Sequence, residues 1–279
     1  MSAFCNPPKP PAYGPDDYNT TIDGVGHMKI AAKIVHHEYI GRHERRPMII
    51  YSHDAHVDLK AAIFEAKQLQ VGAKADVLVY DYPGYGHSLP APPSDDDGPA
   101  PPSMESDWTR CLLSVYLWLT LKQGTKIKDV ILYGKGMGTG PTLNVALERP
   151  EIQSVVLEAP MLSALRISTP IPLLFGRLTW MAGDIFLNFN VIAGVKARIL
   201  IIHWKDDPRI PYYHGKALFE CIPTHRRTPK PEKAWIPTAM LVPIPSAEIK
   251  TNLLQDFTCS ADRILATHWD FLFYDSPGK

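Results

Sequence analysis

Four side chains able to bind a metal or move a proton crowd one short stretch: His53, Asp54, His56 and Asp58 fall within six residues. Imidazoles and carboxylates at that density suit a hydrolytic metal centre, where a bound cation activates water. The spacing argues otherwise. Metallohydrolase sites of this kind read H-x-H-x-D-H, whereas these histidines stand three apart, and no complementary ligands are identifiable elsewhere. Asp58 reads instead as the residue that opens a helix, where a carboxylate meets unpaired N–H groups and the positive end of the dipole. No metal and no cofactor is expected. Two further positions carry chemical potential. Asp207 follows an apolar run and either orients a base or caps the turn into the next helix, and His268 stands alone in ATHWDF as a packing or surface residue. The glycines of Tyr133-Gly134-Lys135-Gly136-Met137-Gly138 do not form a phosphate loop, because G-x-x-x-x-G-K is absent.

The elements that would hold these residues are legible. Apolar runs at Met28–Val35, Met48–Tyr51, Val77–Tyr80, Val130–Tyr133, Ser154–Leu157, Ile199–His203 and Ala239–Val242 read as strands. Several are continuous rather than alternating, as strands covered on both faces require. Between them lie helical patterns. Leu59, Ala62, Ile63, Ala66 and Leu69 repeat at 3.6 residues; a second, nearly all-apolar helix spans about Asp107 to Lys122; a third runs from near Met137 to Glu148 and stops at Pro150. Trp108, Trp118 and Trp180 fall on apolar faces and are assigned to the core. Such β-α-β-α alternation implies a doubly wound, mostly parallel α/β sheet with helices on both faces.

Length and composition limit the rest. The 279 residues suit one large domain. A proline-rich extension is expected over 1–24, the domain over 25–256, and an aromatic C-terminal extension over 257–279. Leu89–Ser103, rich in Pro and Asp, and Thr224–Lys233, polar and basic, read as loops outside the pattern. The stretch Thr258–Tyr274 carries too much aromatic mass for a solvated tail; it either packs back or meets a partner. Lys+Arg and Asp+Glu balance at 29 each, so nothing marks a nucleic-acid or anionic-lipid partner. The 27 prolines are nearly twice the usual share of about 5% and mark stiff loops. The four dispersed cysteines imply reduced thiols, with Cys111 and Cys221 in apolar patterns. No signal or presequence pattern opens the chain, and Arg177 and Asp184 interrupt its most apolar stretch, so no membrane span is expected. Lipid anchoring through the isolated Cys5 has little support. A cytoplasmic setting follows as the default.

Six segments in order resemble the α/β-hydrolase superfamily: YSHDAHVDLK, VYDYPGYGHS, VILYGKGMGTGPTLNVA, VVLEAPMLSALR, and ILIIHWKDDPRIPYYHGKALFECIP, with NPPKPPAY as lead-in. They are most similar to the abhydrolase-domain branch that includes palmitoyl-protein thioesterases, over roughly residues 6–250. That resemblance implies the α/β-hydrolase fold, with a nucleophile on a tight strand-to-helix elbow, G-x-S-x-G.

The same resemblance implies a degenerate site. The outer glycines, Gly134 and Gly138, are kept, but the nucleophile position is Gly136, which has no side chain. The acid position falls on Asp207 and the base position on Ser246 instead of histidine. The oxyanion turn of the branch, S-H-G-N, is here Ser52-His53-Asp54-Ala55, so a carboxylate is expected beside the place where an oxyanion's charge would develop, with the wrong sign. Loss of a nucleophile alone costs about a million-fold in turnover, because the triad acts as a unit. The chain is therefore expected to be a pseudoenzyme, a structural or interaction subunit of a larger protein assembly, with a cytoskeletal or ciliary setting compatible. A protein that binds a small molecule or acyl chain is the alternative, and a residual acyl-protein thioesterase the next.

Overall fold

The computed structural model describes residues 18–38, 46–89, 104–169, 183–227, 238–245, 267–268 and 271–272. Strands β1 (Thr20–Asp23), β2 (Lys29–Val35) and β3 (Met48–Ser52) come first, followed by α1 (Leu59–Ala73), β4 (Asp76–Tyr80) and α2 (Met104–Leu117). Next are β5 (Val130–Lys135), α3 (Thr139–Glu148), β6 (Ser154–Glu158), α4 (Ala164–Ser168) and α5 (Asn188–Val191). The order closes with β7 (Arg198–Trp204), α6 (Tyr213–Cys221), α7 (Thr224–Arg227) and β8 (Ala239–Ile244).

All eight strands join one sheet in the order β1-β2-β4-β3-β5-β6-β7-β8. The pairs from β4 through β8 are parallel, while β1 and β2 run antiparallel at one edge. The central strands are β-branched and aliphatic with almost no exposed residue, as a sheet covered on both sides demands. One core packs α2, α3 and α6 against the sheet around Leu132, Leu143, Trp108 and Leu218. The other face buries α1 through Leu59, Ala62, Ala66 and Leu69.

Each of the seven expected strands is present, most of them a residue or two longer. The eighth, β1, lies inside the segment 1–24, so that segment contributes a strand to the sheet. The second helix loosens at its end into a π turn, Trp118–Lys122, where Trp118 is half-buried. Trp108 is buried, and Trp180 lies outside the described residues. Cys111 is buried, but Cys221 is only half-covered. The segment expected as a polar loop from Thr224 begins with a short helix instead. There the Arg226 guanidinium turns inward to the carbonyls of Val195 and Ala197, which supply the partners a buried cation needs. Of the aromatic tail, Phe271 and Leu272 pack under the sheet, with Ser154 Oγ donating to the Leu272 carbonyl at 2.6 Å. Trp269 and Phe273 lie outside the described residues, as does 90–103 of the expected Pro/Asp loop. Among the described residues no helix is long and apolar enough to cross a membrane.

Candidate functional site

From the neighbouring strands β3 and β5 the chain departs in opposite directions, to β4 on one side and β6 on the other. In open parallel sheets a crevice opens at such a reversal, outside the carboxyl ends of the strands. Both strands end there side by side, with Ser52 paired to Gly134. Beyond β3 comes His53-Asp54-Ala55; beyond β5 the chain bends at Gly136 and enters α3.

The bend depends on glycine. Gly136 holds φ at +54°, a left-handed conformation that side chains with a Cβ disfavour. A Cβ at this position would meet Asp54 Cγ and Oδ1 at 2.6 Å and Oδ2 at 2.9 Å. Gly138 passes so close to the end of β3 that a Cβ would strike the carbonyl oxygens of Ser52 and His53. Gly134 is confined in the same way by Thr142 and the Gly138 carbonyl. The strand-to-helix elbow is thus built with its glycines in place, and its apex presents only hydrogen.

Asp54 fills the space that a side chain at the apex would take. Its Oδ1 accepts the N–H of Ala55 at 2.7 Å and that of Met137 at 3.2 Å. Its Oδ2 pairs with the Arg209 guanidinium at 2.7 Å. One N–H comes from the turn after β3 and the other from the residue after the apex, the positions from which G-x-S-x-G hydrolases direct donors at a developing oxyanion. The carboxylate expected beside that spot occupies the spot itself. Asp54 is itself the anion seated on the donors. The reason is geometric: a bare apex leaves room, and a short acidic side chain one residue before Ala55 reaches both amides. Arg209 offsets the cost of burying the charge.

Around it the turn is fixed by buried polar contacts. His53 faces Asp81 Oδ1 through Nε2 at 3.1 Å and the Asp54 carbonyl through Nδ1 at 2.9 Å. Burial pushes its pKa down, but the hydrogen bond and charge of Asp81, with the carbonyl, outweigh burial and hold it above the ordinary histidine value. The Tyr82 hydroxyl donates to the His53 carbonyl at 2.7 Å, and that of Tyr85 to the Ala55 carbonyl at 2.9 Å. Tyr82 stacks on Trp108 with ring centroids 3.7 Å apart. The four residues suggestive of a metal diverge: His53 turns to Asp81, Asp54 to the elbow, His56 to solvent, and Asp58 caps α1 by accepting the Ala61 N–H at 3.1 Å.

Asp207 lies in the loop after β7, and its Oδ1 accepts the N–H groups of Arg209 at 2.9 Å and Ile210 at 2.8 Å. It therefore shapes the turn that delivers Arg209 to Asp54. Beneath that loop, His203 Nε2 donates to the Ile210 carbonyl, and His214 Nδ1 accepts the Leu162 N–H at 3.1 Å. Burial lowers the pKa of both, that of His214 to about 4. Ser246 lies outside the described residues. His268 sits beside Thr267, whose Oγ1 is 3.1 Å from its Nδ1.

On the α1 side of the elbow, Lys135 bridges Glu65 at 2.8 Å and Glu158 at 3.3 Å. The Tyr51 hydroxyl donates to Glu65, and that of Tyr133 to Glu158. Burial raises the Glu158 carboxyl against the counter-pull of Lys135; Lys135 itself is held above its usual value because the two carboxylates outweigh its desolvation.

Sheet order, covering helices and glycine elbow together define the scaffold of an α/β hydrolase. A family model for the alpha/beta hydrolase fold matches residues 55–197, half of the chain, and the chain belongs to that family. Within it the likeness is to the abhydrolase-domain branch. Alpha/beta hydrolase domain-containing protein 17C of Xenopus tropicalis is 32% identical over 178 residues, 64% of this chain and 52% of that one. Alpha/beta hydrolase domain-containing protein aho-3 of Caenorhabditis elegans is 29% identical over 191 residues, 68% of this chain and 51% of its own. The chain spans about half the length of these relatives. Among solved structures, an esterase of Pyrobaculum calidifontis superposes with a TM-score of 0.59 at 15% identity, covering 89% of this chain and 83% of the other. A serine hydrolase homologue from Coxiella burnetii gives 0.59 at 14%, covering 92% and 99%. At that identity the likeness is one of fold.

Proposed function

We propose that this chain is a catalytically silent α/β hydrolase, retained as a structural or interaction subunit of a larger protein assembly in the cytoplasm. The observation that carries this reading is Asp54, seated on the amides of Ala55 and Met137 above an apex without a side chain. Without a nucleophile no acyl-enzyme forms at the elbow, a loss of about a million-fold. The roughly thousand-fold residual catalysis of a triad-less hydrolase depends on free oxyanion donors, and here both amides already hold a carboxylate. Asp207, the acid position, spends its Oδ1 on its own loop, which supports the same reading.

The space directly over Gly136 is occupied by Asp54, and this weighs against the alternative of an acyl chain bound there. The assembly role rests on what remains: a well-packed core and a proline content nearly twice the usual share of about 5%. The test is twofold. The pure protein is treated with a fluorophosphonate probe and weighed intact, and the native protein is sized in extracts of its source cells. The reading expects no adduct and migration well above the mass of one chain. A stoichiometric adduct mapped to a serine would overturn the silent site, and migration at the mass of a single copy would overturn the assembly.

A further inference from the structure

His53 is fully buried, yet each of its ring nitrogens faces an acceptor oxygen. Nδ1 lies 2.9 Å from the Asp54 carbonyl and Nε2 lies 3.1 Å from the carboxylate of Asp81. A neutral imidazole has one N–H and one lone pair, so it can serve only one of these oxygens; an imidazolium serves both. A proton placed on the carboxyl of such a pair would sit on the weaker base, since carboxylates ordinarily bind it near ~4 and imidazoles near ~6.5. Two aromatic rings flank the imidazole, that of Tyr82 with its centroid at 4.7 Å and that of Tyr85 at 5.9 Å. Both fall within the roughly 6 Å over which a ring attracts a cation.

From this geometry we propose that His53 is a buried imidazolium whose second proton locks the turn carrying Asp54, and that the turn loosens when rising pH removes that proton. Deprotonation leaves one N–H for two acceptors. A lone pair then faces either the Asp54 carbonyl, in the residue that occupies the amides of Ala55 and Met137, or the Asp81 carboxylate at the end of β4. Neither contact holds without its proton. The neighbouring groups are engaged elsewhere. The hydroxyls of Tyr82 and Tyr85 donate to the carbonyls of His53 and Ala55, and those of Ser52 and Tyr80 pair with each other. From α2 the Cys111 thiol, kept protonated by burial, faces the Asp81 carbonyl at 3.7 Å, and Arg209 is paired with Asp54. Burial opposes the charge on His53, but the hydrogen bond and charge of Asp81, the Asp54 carbonyl and the charge of Glu65 on α1 outweigh it. With the folded-state value above the unfolded ~6.5, the stabilisation is complete below that pH and is lost as pH rises through the folded value. The lock does not depend on whether the elbow is silent.

The experiment labels the full chain with nitrogen-15 and follows, by NMR against pH, both ring nitrogens of His53 and the backbone amide of Met137. The ring is assigned through bonds to its own backbone. Both nitrogens should carry protons at about pH 7, where an ordinary imidazole is mostly neutral. The midpoint should lie above ~6.5, and the Met137 amide should shift with that same midpoint as Asp54 moves on its seat. The urea midpoint of the wild type should fall across this step, and that of His53→Gln, a neutral side chain, should not. Asp81→Asn should move the His53 midpoint downward. Because the spectra are read on the wild type, the test stands where a variant fails to fold. A ring with a single proton at about pH 7 would overturn the imidazolium. A doubly protonated ring that never titrates while the protein stays folded, or a Met137 amide indifferent to its titration, would overturn the lock.

Discussion

Gly136→Ser, the change that would restore a hydroxyl at the elbow, should destabilise this protein, and Asp54 sets how much. At φ +54° a residue with a Cβ costs about 1–2 kcal/mol. The new Cβ would also lie 2.6 Å from Asp54 Cγ and Oδ1, an overpacking that typically costs about 1–3 kcal/mol in a buried site. Relieving it by rotating Asp54 away forfeits the amides of Ala55 and Met137 and the Arg209 pair. The sum is about 2–5 kcal/mol. Once Asp54 is replaced by Ala, the clash vanishes and only the backbone strain remains. Gly136→Ser in that background should therefore cost only about 1–2 kcal/mol, leaving a coupling energy of about 1–3 kcal/mol between the two sites. Urea denaturation of the wild type, both single variants and the double variant measures this directly. Additivity within about 0.5 kcal/mol, the behaviour of independent sites, would refute the reasoning.

Three further outcomes follow from buried groups. The folded-state pKa of His214 lies near 4, below the ordinary 6.5, so its contribution is present above pH 6.5 and is lost as pH falls through that window. About 3 kcal/mol should disappear between pH 7 and pH 4; in urea melts, His214→Gln, which can still accept the Leu162 N–H, should lose clearly less, and an identical pH slope would contradict this. Lys135→Met leaves two carboxylates in a buried site and should cost about 3–5 kcal/mol, with part recovered on adding Glu158→Gln; a thermal scan in which the second change makes matters worse would contradict the arrangement. A chain ending before residue 267 loses the burial of Phe271 and Leu272, worth about 1.5–3 kcal/mol each. Its denaturation midpoint should fall well below that of the full chain, and an unchanged midpoint would show that the tail adds nothing.

What was legible in the sequence follows from what each element buries. Seven strands announced themselves because a sheet covered on both faces needs uninterrupted apolar runs. Strand β1 did not, since TTID at an edge buries only Ile22 and looks like loop. The elbow could be recognised by its resemblance to G-x-S-x-G through Gly134 and Gly138, where close approach leaves no room for a Cβ. The charge of Asp54 at the oxyanion turn is legible in the sequence; its reach onto both amides is not. A carboxylate beside a vacant apex can itself satisfy the amides that would otherwise face an oxyanion. Arg209 carried no local signal at all, since an arginine in a polar loop is ordinary until Asp207 folds the turn that aims it. Arg226 was likewise hidden in a basic stretch, and only the open carbonyls of Val195 and Ala197 explain why it turns inward.

The claim that the elbow performs no acyl chemistry is met most directly by the rate of acyl-thioester hydrolysis in the presence of the pure chain. We predict a rate equal to that of buffer alone at every substrate concentration, for the wild type and for Asp54→Ala alike. Saturable turnover above background that Ser or Cys modification abolishes would contradict it.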